Sequence, residues 1–185
     1  MNPLYKQMQI PLTKLKATIL FLTNNTNLRY GGKTKLMKLF YFSDFLHVKR
    51  YATPITGDQY VNLERGPIPS VIMNMVENAL SEPENSELAD TITVEMEPAS
   101  PMKKITPNRK FTTEDKKLFS PSEMEILEEV VKRFKDTDTN SIVKASHREA
   151  PWLSTNFKDL IPYSLAGKDT DSLYTEEDLK IINSI

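Results

Sequence analysis

The chain has no cysteine and only two histidines, His47 and His147. The first absence removes thiol catalysis, disulfide scaffolds, iron–sulfur centres and cysteine zinc sites. The second leaves too few imidazoles for a multi-histidine metal site, so no metal or other cofactor is expected. Long apolar runs are missing too. Ile19-Leu20-Phe21-Leu22 is far shorter than the roughly 20 residues a membrane helix needs. The opening Met1-Asn2-Pro3-Leu4-Tyr5-Lys6 leads into no apolar stretch with a small-residue cleavage site. These absences together predict a cytoplasmic protein with no membrane partner. What remains is ordinary for a folded chain: 185 residues, 39% hydrophobic and 26% charged. That length can bury a core without metal or disulfide support and predicts a single domain over residues 1–185.

Charge is nearly balanced overall, but not along the chain. Residues 1–60 hold nine Lys/Arg against two Asp/Glu, residues 61–100 one against eight, and residues 101–185 fourteen against fifteen. Such blocks can steer a charged partner; equally, they can face each other or solvate different faces.

Apolar spacing gives the architecture. Leu12, Leu15, Ile19 and Leu22 predict an amphipathic helix over residues 11–23. Residues 33–49 carry Leu36, Met37, Leu39, Phe40, Tyr41, Phe42, Phe45, Leu46 and Val48, apolar around so much of the circumference that this helix is expected at the centre. Residues 59–64 read as a short strand. Pro67 is expected in the first turn of a helix bearing Val71, Ile72, Met75, Val76, Ala79 and Leu80. An acidic loop covers 81–87, and Thr91–Glu97 alternates as a strand with Ile92, Val94 and Met96 inward, residues 102–106 returning as its partner. Ser120-Pro121-Ser122-Glu123 is a capping box opening a helix, with shorter helices expected at 140–147 and 176–183. The fold class predicted is α+β: mainly helical, with a central apolar helix and a small antiparallel sheet from roughly 58–64 and 91–106.

Motifs that could carry chemistry fall short of it. Asn27 to Thr34 is one residue from a phosphate-binding P-loop, but the run before it has helical spacing where a P-loop needs a strand. His147 has no nucleophile elbow and no nearby second histidine, which predicts a histidine hydrogen-bonded within the fold. Lys33, Lys35, Lys38, Lys49 and Arg50 could meet phosphates, yet the apolar load of their helix buries it, so nucleic acid is not the expected partner. Tyr60, Arg65 and Trp152 are residue types found at interface hot spots and equally in cores. Trp152 is expected to be buried against the central helix.

Three stretches, read in order, carry a family resemblance. Thr34-Lys35-Leu36-Met37-Lys38-Leu39-Phe40-Tyr41-Phe42-Ser43-Asp44 resembles the opening helix of the Panacea, or SocA-like antitoxin, domain. Pro54-Ile55-Thr56-Gly57-Asp58 followed by Glu64-Arg65-Gly66-Pro67-Ile68 is similar to its second motif, with Ile68 where valine is common. Ser146-His147 with Pro151-Trp152 resembles its late element. The resemblance implies a family core at about 11–152, a variable insertion at about 81–110 and an extension at 153–185. It also implies a bacterial or prophage antitoxin, not an enzyme, that neutralises a cognate toxin by direct binding. One known type instead delivers its toxin to a ClpXP-type protease, and a DNA-binding regulator or a small nucleotide-binding enzyme are the remaining readings. The motif positions, and so the possible partner-binding residues, are Lys35, Leu36, Lys38, Leu39, Tyr41, Asp44, Gly57, Asp58, Arg65, Gly66, Pro67, His147, Pro151 and Trp152. Because shared motif residues define a scaffold, partner choice is expected in the variable parts.

Overall fold

A computed structural model describes residues 11–27, 32–98 and 102–182. The central strut is helix α2, Lys33–Tyr51, preceded by α1, Leu12–Asn24. In α2 nearly every residue from Lys35 to Lys49 is buried, polar ones included. It packs against α5 (Pro121–Phe134), α6 (Thr139–Ser146), strand β2 (Gly66–Pro69) and a 3-10 helix at Tyr163–Lys168. A helix buried on all sides must be apolar all round or satisfy its polar groups internally. This one does both. It stops at Ala52, whose left-handed φ of 61° turns the chain away. Among the described residues no helix is long and apolar enough to cross a membrane.

The remaining helices are α3 (Ser70–Ser81), the short α4 (Thr113–Lys116), α7 (Ala150–Leu153) and α8 (Glu176–Ile182). The α5 capping box forms as expected: Ser120 Oγ accepts from the Glu123 amide, and Glu123 accepts from the Ser120 amide at 2.8 Å. A second capping box, Thr112 with Asp115, opens α4, an element the spacing does not predict.

The single predicted sheet is instead two separate sheets. In the first, β1 (Tyr60–Leu63) lies between β2 and β5 (Leu160–Ile161), all antiparallel. In the second, β3 (Ile92–Met96) pairs only with β4 (Lys103–Pro107). Met96, expected inward with Ile92 and Val94, is 53% exposed because it ends the strand beyond the core. The predicted helix start at Pro67 is also corrected. Gly66–Pro69 is strand, and α3 begins at Ser70. The reason is not local, for the helix is capped from outside: the Asp58 carboxylate accepts from the amides of Val71 and Ile72, both at 3.0 Å. Leu28 to Gly31 of the P-loop-like stretch lie outside the described residues, as does Asn183 at the predicted end of the last helix.

Leu63 and Gly66 pair across a two-residue turn, Glu64-Arg65. Gly66 has φ +88°, and a Cβ there would stand 2.5 Å from Ser146 Oγ and 3.0 Å from Lys38 Cε. Only glycine lets the hairpin lie this close over α2 and α6. Gly66→Ala is therefore expected to cost about 1–3 kcal/mol in urea unfolding, from overpacking and backbone strain. In a double-mutant cycle, Ser146→Ala recovers part of that loss by removing the nearest atom; strict additivity would refute the close-approach explanation.

Candidate functional site

The motif residues of α2 act as buried tie points, each fastening a different segment. Asp44, fully buried, accepts from the amides of Ile55 (2.9 Å) and Thr56 (2.7 Å) and from the hydroxyls of Tyr60 (2.8 Å), Tyr163 (3.3 Å) and Thr56. Burial pushes its carboxyl above the usual range, and these donors pull it back part of the way. Gly57, at φ +69°, turns the chain between this cradle and Asp58, where burial raises the carboxyl to about 6. Tyr163 also donates to the Asp58 carbonyl at 2.8 Å, so the two acids share a wall.

Lys35, Lys38 and Lys49 are equally enclosed. Lys35 donates to the Lys135 carbonyl at 2.9 Å, holding the α5–α6 turn; Lys38 donates to the Pro67 carbonyl, holding β2. Burial lowers Lys35 to about 8. It lowers Lys38 to about 7, helped by the neighbouring charge of Arg65. Lys49 meets Glu149 at 2.5 Å, Asp169 at 2.9 Å and Asp171 at 3.0 Å, closing the end of α2 onto the segment after α6. Asp169 in turn accepts from the Ala150 amide at the start of α7.

This settles where the basic block goes. Lys14 pairs with Glu123, Lys16 with Asp90, Lys33 with Glu77, and Arg50 grips Glu129 through both guanidinium nitrogens at 2.6 and 2.8 Å. Two of these pairs join the basic and acidic blocks directly; the buried lysines end on carbonyls and on the 149–171 segment. In the acidic block Glu64, Glu82, Glu84, Glu95 and Glu97 are exposed.

The histidines differ. His47 is satisfied, Nδ1 against the Thr53 carbonyl and Nε2 against Ser122 Oγ at 3.2 Å. His147 does not make the internal hydrogen bond expected of it. Its ring stacks on Trp152 with centroids 4.0 Å apart, and its buried Nε2 has no hydrogen-bond partner among the described residues. Burial and Lys38 lower its pKa. Trp152 itself is half-buried, not enclosed against the central helix, because α7 is a short turn on the rim of the fold. Its carbonyl, with the carbonyl and hydroxyl oxygens of Thr155, accepts from Asn62 Nδ2.

Leu36, Leu39, Tyr41, Gly66, Pro67 and Pro151 are buried as well. Among the motif positions Arg65 alone is exposed, and it lines a groove of about 950 Å³. Apolar walls come from Met37, Leu63, Ile68, Met73, Met102 and Phe157. The structure thus brings Arg65 to an open surface and places most other motif residues behind it. Sequence reading missed Tyr163, Asn62, Asp169 and the apolar lip of Phe157, none of which has a local signature. Among the described residues no cluster of three His, Asp or Glu side chains is placed to hold a metal ion.

Lys38 sets a pH dependence. Its folded pKa lies below its ordinary value, so above pH 7 the unfolded chain binds more protons and stability rises with pH. Between pH 7 and 9 this amounts to about 2 kcal/mol. Urea midpoints at pH 7, 8 and 9 should climb, and Lys38→Met should flatten most of the climb; an unchanged slope in the variant would refute the assignment.

No curated protein and no solved structure matches the chain. Residues 36–153 do match a family model, that of the antitoxin SocA-like Panacea domain, and they take in nearly all of the α2 ties, the Gly57 and Gly66 turns and the His147–Trp152 stack. The chain belongs to that family.

Proposed function

We propose that this protein is an antitoxin that neutralises a cognate toxin by direct, stoichiometric binding, and that it does no bond-making chemistry of its own. Family membership carries the reading. The geometry supports it in a specific way. The side chains that would draw attention as reactive, a lysine with a pKa near 7 and two buried aspartates, are each bonded to backbone atoms of the fold. Their perturbed pKa values follow from burial. The buried motif residues are then scaffold, and partner recognition falls to the surface they hold in place. A cytoplasmic location and a protein partner go with this reading.

Co-expression tests it. The product of a gene adjacent to this one should arrest growth when induced alone, and this chain should restore growth and co-purify with it at 1:1 stoichiometry. The half-life of that product should be the same with and without a ClpXP-type protease; a protease-dependent half-life would mean delivery instead of sequestration. Absence of toxicity, or toxicity that persists beside this chain, would overturn the antitoxin reading.

A further inference from the structure

The geometry points to the Met-lined groove beside Arg65 as the docking site for a segment of the toxin that carries a carboxylate between apolar side chains. This rests on the antitoxin reading and specifies the surface it uses. The groove runs between the start of α2, the β1–β2 hairpin, the start of β4 and the start of α6, with Gly32, Arg65, Lys103 and Asn140 marking its sides. Its volume of about 950 Å³ lies at the upper end of ligand-site sizes, room for several side chains.

The choice of occupant follows from charge. Lys33 and Lys103, which also line the groove, both close on the Glu77 carboxylate, one on each oxygen. Glu64 is the lining acid, and it forms no ion pair with Arg65. The Arg65 guanidinium has no hydrogen bond or ion pair among the described residues, and it lies near enough to the buried Lys38 to disfavour that ammonium. An exposed guanidinium with no partner of its own selects an anionic partner group, and its planar fork suits a carboxylate. Apolar matter frames it. Phe157 is 61% exposed at the groove's lip, and the same stretch leaves Leu153 and Leu160 at 63% and 58%. Exposed apolar residues grouped in this way mark an interaction surface. Two half-buried methionines in the walls, Met73 and Met102, with the buried Met37 beneath, give it side chains that reshape around different partners at little cost.

A random peptide library displayed on phage and panned against the intact chain tests the groove without any toxin. Enriched peptides should carry Asp or Glu flanked by apolar residues. Arg65→Glu should weaken them at least tenfold without any fall in melting temperature, and Phe157→Ser should weaken them too. Lys144→Glu, an exposed charge change on α6, should leave binding unaffected. No enrichment, enrichment without acids, or indifference to Arg65→Glu would overturn the inference. In the growth assay, Arg65→Glu should lose protection. Protection retained by that variant would overturn the groove assignment and leave the antitoxin reading standing; no protection by the unaltered chain would sink the antitoxin reading itself.

Discussion

A carboxylate buried away from solvent organises this fold. Asp44 sits at the middle of a buried helix and can stay there only while donors surround it. Those donors come from the 55–56 turn, from β1 and, across 119 residues of sequence, from the 3-10 helix. Removing them one at a time would leave a buried charge short of partners, at about 1–3 kcal/mol per lost bond. The cradle is therefore formed as a whole or not at all. Lys38 and Lys49 repeat the arrangement further along the same helix, so α2 is both the apolar centre and the polar fastening of the molecule.

Buried polar ties of this kind seldom add much net stability, since desolvation offsets most of the gain. Their effect is on specificity of arrangement. An apolar strut could rotate or slide by a residue and still bury its side chains. A strut bonded to the Lys135 carbonyl, the Pro67 carbonyl and the 55–56 amides has one seating. That seating fixes the β1–β2 hairpin over Lys38, and so fixes Arg65 and the groove. In this way residues that never reach the surface govern its shape.

The helices were legible because their signals are local. Period-3.6 apolar spacing marked α1, α2, α3 and α5, and the Ser120–Glu123 box placed the start of α5 to the residue. The central position of α2 followed from its apolar circumference alone. The strand at Gly66–Pro69 was misread because proline after glycine suits a helix start, whereas the actual cap of α3 is Asp58, twelve residues upstream of Ser70. Two sheets looked like one because nothing local pairs β1 with Leu160-Ile161. Trp152 was expected inside on residue type, yet its place in a one-turn helix at the rim leaves it half-covered by His147. Of the motif positions, sequence could mark that those on α2 lie inside but not what each is tied to; that depends on which carbonyls lie within reach of each lysine.

The division between inner ties and outer groove can be read directly by amide hydrogen exchange, on the protein alone and bound to the product of its neighbouring gene. The account predicts that α2 and the 55–60 turn are among the slowest-exchanging segments in the free protein and change little on binding. New protection should be confined to segments 63–73, 102–103, 139–140 and 153–160 and to the first turn of α2 at 32–34, which also lines the groove. Fast exchange along α2, or new protection centred on it with the groove unchanged, would contradict the account.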